Sequence, residues 1–326
     1  MDILRGMAIL MVLLYHSIIV FPIDLHEIQW CKTLHTFLWT VQMPLFFLVS
    51  GFCYSFRGSY REYASRKCRR ILIPHVVFSF LDILPRLIPN PLVHEQMDVR
   101  GAVVDFVFYG GSDWFLWTLF VISMGFPALR KLLCGSEKKR KAGVLIVTLL
   151  FLAKPYMTDF LLINMVCQYL WYFFLGYGLR RRADRLLPVL KQGKNLLPAF
   201  LWTAVCFAGF LICSGRGYFE PACIALELLC VLGSFVFFFG LTALCRGRLS
   251  DFLKVCGVWS LQMYLLDAYA LVASRTLLVS ILGIGAPAAI IAGNFLIDTA
   301  AVLFVSRYIL TKAKGFRLCC GIPENG

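Results

Sequence analysis

The sequence is poor in charge. Of its 326 residues 15% are charged, where soluble domains carry about a quarter; 60% are hydrophobic and the mean hydropathy is +0.77. That shortage excludes a soluble globular protein. Acids are scarcer than bases, 18 Asp and Glu against 32 Lys and Arg. No internal repeat is visible, neither end reads as a soluble domain, and no pair among the 13 cysteines has zinc-site spacing, so no metal is expected. Most cysteines lie in apolar runs, where Cys is an ordinary small buried residue. The first apolar segment lacks a small-residue cleavage site, so it is expected to stay as a span.

Long apolar runs, in contrast, recur from end to end. They predict an all-α integral membrane protein, a single polytopic domain over residues 1–326 with about ten transmembrane helices. The spans fall near 3–20, 34–56, 71–88, 113–130, 143–160, 167–180, 196–213, 222–245, 256–278 and 286–310, the third broken by prolines and the sixth short. Lys and Arg alternate between the connecting segments: six in 57–70, six in 130–142, six in 180–195, three in 246–254 and four from Arg307 onward. The intervening segments hold Lys32, Arg86, Arg100, Lys154 and Arg216, and Arg5 and Arg275 lie inside helices. By the positive-inside rule both termini are expected to be cytoplasmic, in the plasma membrane, and the formal charge of +14 reports topology rather than nucleic acid. The longest segment on the other side, 84–113, opens with the proline-rich "LPRLIPNPLV" and carries Asp98, Asp105 and Asp113. It reads as a loop with a short helix around 99–109, either shaping a binding site or simply connecting.

An ionisable group at the centre of a span costs about 2.5–3.5 kcal/mol on insertion scales, so such groups usually face protein or a water cavity. Here they are Arg5, His16, His35, Asp82, Glu227, Asp267, Arg275 and Asp298, with Arg275 and Asp298 as a candidate ion pair. Arg5 and His16 are eleven residues apart. On a helix that is about three turns, so both leave one face roughly 16 Å apart. Taken alone, His16 reads as a hydrogen-bonded core histidine and Arg5 as a snorkelling cation. A neutral imidazole at that depth also suits proton transfer from an attacking hydroxyl.

"MDILRGMAILMVLLYHS", with Asp2, Arg5, Gly6 and His16, resembles the opening of the membrane-bound acyltransferase-3 family. "MPLFFLVSGF" (43–52), "RKCRRILIP" (66–74), "SDWFLWTLF" (112–120) and "GVWSLQMYLLD" (257–267) are similar to further family elements, in the family's order. The resemblance implies transfer of an acyl group, usually acetyl, from cytoplasmic acyl-CoA to a hydroxyl of a glycan, lipid or antibiotic. It places His16 and Arg5 at the catalytic centre. Arg66, Lys67, Arg69 and Arg70 suit the phosphates of CoA, because cationic side chains bind phosphate oxygens in charge-assisted pairs; their other reading is a topology signal against anionic head groups. Ser50 reads as a packing residue beside Gly51 rather than a nucleophile, and Gly6 likewise permits close packing. Trp114, Trp117, Tyr169, Trp171 and Tyr172 read as an interfacial belt or as sugar-stacking residues. Tyr264 is placed to donate to the acyl carbonyl. Asp267 stands where many family members carry histidine, which puts a base there in doubt.

The partners expected are therefore the bilayer, acyl-CoA and a carbohydrate or lipid-linked glycan acceptor. Two rivals belong to other classes. One is a transporter or flippase of a lipid-linked glycan with a proton relay of intramembrane acids, disfavoured by the absence of inverted repeats. The other is a non-catalytic membrane sensor, prompted by Asp267.

Overall fold

Glycine marks the places where two helix backbones touch, and those contacts organise the bundle. The computed structural model describes residues 1–19, 25–87, 96–111, 113–215, 220–312 and 314–322. The chain is 86% helical, with no strand among the described residues. The helices are α1 (Asp2–Ile18), α2 (Gln29–Phe52), α3 (Tyr60–Lys67), α4 (Ile73–Arg86), α5 (Val99–Phe108), α6 (Trp114–Leu133), α7 (Glu137–Leu152) and α8 (Ile163–Arg181). They continue as α9 (Ala183–Leu190), α10 (Leu196–Gly215), α11 (Glu220–Leu244), α12 (Gly247–Val258), α13 (Ser260–Arg275), α14 (Pro287–Phe304) and α15 (Lys314–Cys319).

Seven segments among the described residues are long and apolar enough to cross a membrane: Gln29–Phe52, Trp114–Leu133, Phe160–Arg181, Gly193–Gly215, Pro221–Leu244, Ser260–Ile281 and Pro287–Ile309. Helices α1, α4 and α7 occupy three more of the expected spans but are shorter, at 17, 14 and 16 residues. The short helix expected near 99–109 is α5. Helix α4 runs through Pro85 to Arg86, while the rest of the proline stretch, from 88, and Arg216 lie outside the described residues.

The expected ninth span, 256–278, is two elements. Helix α12 stops at Val258 and α13 starts at Ser260, with Trp259 between them at φ −93°, ψ 9°. The apolar run continues unbroken across the junction, so hydropathy carries no sign of it. Both halves pack against α1, and α13 packs against α14 as well.

Helix α1 is enclosed by α2, α12, α13 and α14, and Leu4, Ala8, Ile9, Val12 and Leu13 are all buried. Its contact with α12 is reciprocal. A Cβ on Gly6 would overlap the Leu253 carbonyl, and one on Gly257 would overlap the Asp2 carbonyl. Helices α2 and α8 repeat the device, Gly51 against the Phe173 carbonyl and Gly176 against that of Leu48. Small residues permit such approach, and dispersion and weak C–H···O contacts then hold the helices.

Two aromatic positions differ from expectation. Tyr169 and Tyr172 are 2% and 0% exposed, inside the bundle rather than in an interfacial belt. Tyr169 stacks on Phe47 with ring centroids 4.4 Å apart, so its ring serves the α2–α8 contact.

One helix supplies its own control. Gly176→Ala places a methyl into the Leu48 carbonyl and should destabilise the protein by about 1–3 kcal/mol. Gly178→Ala meets nothing within 4 Å and should be neutral or stabilising, since Ala favours helix over Gly by about 0.8–1 kcal/mol. Thermal unfolding of the two detergent-solubilised variants distinguishes them; equal losses would contradict the packing described.

Candidate active site

A cavity of about 640 Å³ opens at the end of the bundle where α1 begins, and its wall is cationic. Arg5, Lys67, Arg70 and Arg317 contribute to it from four different segments, and no Asp or Glu stands in the described wall. Arg5 lies one turn into α1, 3.2 Å from Asp2 through one nitrogen and donating to the Cys53 sulfur at 3.2 Å through another. Lys67 ends α3, and Arg70 follows on a π-helical turn, Cys68–Leu72, that leads into α4. Like charges gathered this closely oppose one another. Burial and the Arg70 charge together push the Lys67 ammonium down to about 8, and burial and Arg5 act the same way on Arg70.

The basic stretch is therefore divided. Lys67 and Arg70 face the cavity, whereas Arg66 donates to the Arg57 carbonyl, and neither Arg66 nor Arg69 lines the wall. The α2 end contributes Ser50, beside Gly51 in its backbone contact with α8. Deeper, the wall turns apolar, with Phe46, Phe115, Leu116 and Leu119, and Tyr264 of α13 also borders it. The Tyr264 and Phe115 rings sit 5.4 Å apart.

One turn beyond Tyr264 on the same helix is Asp267, and it meets His16. Asp267 Oδ2 pairs with His16 Nδ1, joining α13 to α1. The carboxylate side chain is 1% exposed and the imidazole 32%. With Asp267 ionised, Nδ1–H donates and Nε2 keeps its lone pair, the tautomer a general base requires. Asp298 of α14 stands next to Asp267, within hydrogen-bonding reach of its carboxyl, and both Asp298 oxygens are buried. In place of the candidate ion pair with Arg275, the charged neighbour of Asp298 is a second carboxyl, Asp267. The remaining intramembrane acids have other neighbours: Tyr269 donates to Asp82, and Lys154 offsets Glu227.

On its other side His16 borders an aromatic group. Tyr15 makes an edge contact with His16 and stacks on His35 at 4.1 Å, and Trp39 lies 5.6 Å from Tyr15. Trp114 bridges Trp39 and Tyr169 at 5.7 and 5.5 Å. Its ring therefore belongs to this cluster.

Both ends of the described chain meet at the cavity, since Arg5, Arg317 and Gly321 line it together. The C-terminal end of α8 is on the same side, where Arg180 donates to the Tyr54 carbonyl at 2.5 Å. Sequence reasoning missed Cys53, which nothing in its surroundings marked, and Arg317, which counted solely toward topology.

The family model for an acyltransferase domain, that of the acyltransferase-3 family, matches residues 1–306. The chain belongs to the acyltransferase-3 family. Neither curated proteins nor solved structures give a match. An acyltransferase-3 protein with seven helices able to cross a bilayer is a multi-pass membrane acyltransferase. The match spans α1 to α14, so Arg5, His16, Lys67, Arg70 and Asp267 all fall within the family domain, and Arg317 follows it.

The cationic wall should respond to pH. Lys67 is charged below about 8 and neutral above it, so the cavity's affinity for an anion of fixed charge falls as pH rises through that value. Trimetaphosphate, whose charge is constant over the range, should bind more weakly at alkaline pH, and Lys67→Gln should flatten the dependence. Calorimetric titration of the solubilised protein checks both; an unchanged slope in the variant would assign the effect elsewhere.

Proposed function

We propose that this acyltransferase moves an acyl group, acetyl by preference, from cytoplasmic acyl-CoA to a hydroxyl of a cell-surface glycan or related acceptor. In this reading it is a plasma-membrane protein of about ten spans with both termini in the cytoplasm. The observation that carries the proposal is the His16–Asp267 pair, one turn along α13 from Tyr264; Tyr264 lines the four-cation cavity, and the pair itself stands behind its wall.

The donor enters by its charge. CoA carries a pyrophosphate and a 3′-phosphate, and Arg5, Lys67, Arg70 and Arg317 offer them cations in a wall without acids. Arg66 and Arg69 then assist from the rim. The roughly 16 Å between Arg5 and His16 along α1 suits an extended pantetheine arm. Its thioester passes Tyr264, whose hydroxyl donates to the acyl carbonyl, and arrives beside the imidazole.

The acceptor hydroxyl approaches His16 from the aromatic side, where Tyr15, Trp39 and Trp114 provide faces on which a sugar ring stacks. Nε2 takes the hydroxyl proton as the oxygen attacks the thioester carbonyl. The carbon–sulfur bond breaks, the imidazolium returns the proton to the leaving thiolate, and ester and free CoA remain. Asp267 holds the tautomer and stabilises the imidazolium between those steps. An acyl-histidine intermediate is the competing route.

Asp267, whose departure from the family's histidine prompted the sensor reading, is the partner of the proposed base, and that favours catalysis. A flippase reading uses the same acids as a relay but needs no acyl-CoA.

Transfer of label from acetyl-CoA to the envelope glycan fraction tests the proposal. His16→Ala should abolish transfer with membrane insertion intact, a loss of about 10²–10⁴-fold for a missing acid–base group. An active variant would remove the mechanism. Asp267→Asn should reduce kcat far more than it raises KM, because it leaves the donor pocket untouched; an effect on KM alone would demote Asp267 to a packing residue.

A further inference from the structure

A second basic groove lies outside the site just described, between α6, α7 and α8. Its volume is about 680 Å³, and its wall changes character with depth. Arg140, Lys141, Arg181 and Arg182 stand at the mouth. Further in come Val144 and Leu145 on α7 and Phe174 on α8. Eight residues separate Arg140 from Thr148, and Phe174 from Arg182. Each interval is roughly 12 Å of helix, so the groove runs well into the apolar part of the bundle.

The charge at the mouth is cancelled only in part. Lys141 is tied to Glu137 at 2.9 Å, and Arg181 leans toward the Cys134 sulfur at 3.9 Å. Arg140 and Arg182 are exposed, and no acid lines the described wall. Three guanidiniums therefore gather where a membrane-water boundary would lie, above an apolar slot. Val144 and Leu145, 40% and 58% exposed, form the open side of that slot.

We propose that this groove holds an anionic phospholipid, its phosphate among Arg140, Arg181 and Arg182 and one acyl chain along Val144, Leu145 and Phe174. A free phosphate would satisfy the cations but leave the slot without an occupant; a zwitterionic lipid would fill the slot but bring its own positive charge to the mouth. The anionic lipid matches both halves. Guanidiniums suit the head group because their planar fork presents paired donors to phosphate oxygens. Gly178 supplies the width. It lines the groove, and a Cβ there would meet nothing within 4 Å.

The test uses the full chain in nanodiscs of phosphatidylcholine, with or without phosphatidylglycerol, followed by native mass spectrometry of retained lipid. The wild-type protein should retain phosphatidylglycerol in preference to phosphatidylcholine. The triple variant Arg140→Gln, Arg181→Gln, Arg182→Gln should lose retention by about five-fold per cation removed. Gly178→Phe keeps every cation and adds a ring to the slot at a position where a Cβ meets nothing within 4 Å, so it should also lose the lipid. Equal retention of both lipids by the wild type would overturn the proposal. So would wild-type retention in either variant, or displacement of the lipid by inorganic phosphate at matched concentration, which would reveal a simple anion site.

Discussion

A carboxylate 1% exposed within an apolar bundle must find a hydrogen-bond donor, because an isolated buried charge is too costly to keep. Asp267 meets that constraint through His16, and the rest of the site is arranged around the bond. It joins α1, whose other faces are taken by α2, α12 and α14, to α13, which also carries Tyr264 at the inner limit of the cavity. The bond thereby sets the depth of the imidazole relative to the cation cluster. It also fixes which ring nitrogen stays open. Asp298, adjacent to Asp267 on α14, brings a second carboxyl to the same locus.

How much of this is legible in the sequence depends on the range of the interaction. Periodicity places Arg5 and His16 on one stripe of α1, because both lie on a single helix. Hydropathy finds most of the helices, and the run of family-like elements points to acyl transfer. The partner of His16 is another matter: Asp267 is 251 positions away, and no spacing rule connects them. The same holds for Arg317, brought to the cavity from the far end of the sequence by packing alone. The division of residues 66–70 follows from a π turn, which shifts the register by a residue and has no clear signature in composition. Tyr169 and Tyr172 mislead for a similar reason, since aromatic rings suit an interface and a helix–helix contact equally well.

Charge is distributed by depth. Cations concentrate at one end of the bundle, in the cavity and in the groove of α6, α7 and α8. Acids concentrate further in, around Asp267 and Asp298. In the proposed reaction the cations at the mouth would hold the phosphates of the acyl carrier, and the apolar wall beyond them would admit its uncharged arm.

The meeting of Arg5 and Arg317 in one wall has a consequence for biogenesis. Arg317 is synthesised long after Arg5, and α12 to α14 must insert before α1 acquires its neighbours on that side. A partly made chain therefore exposes the α1 imidazole and guanidinium to lipid or translocon until the closing helices arrive.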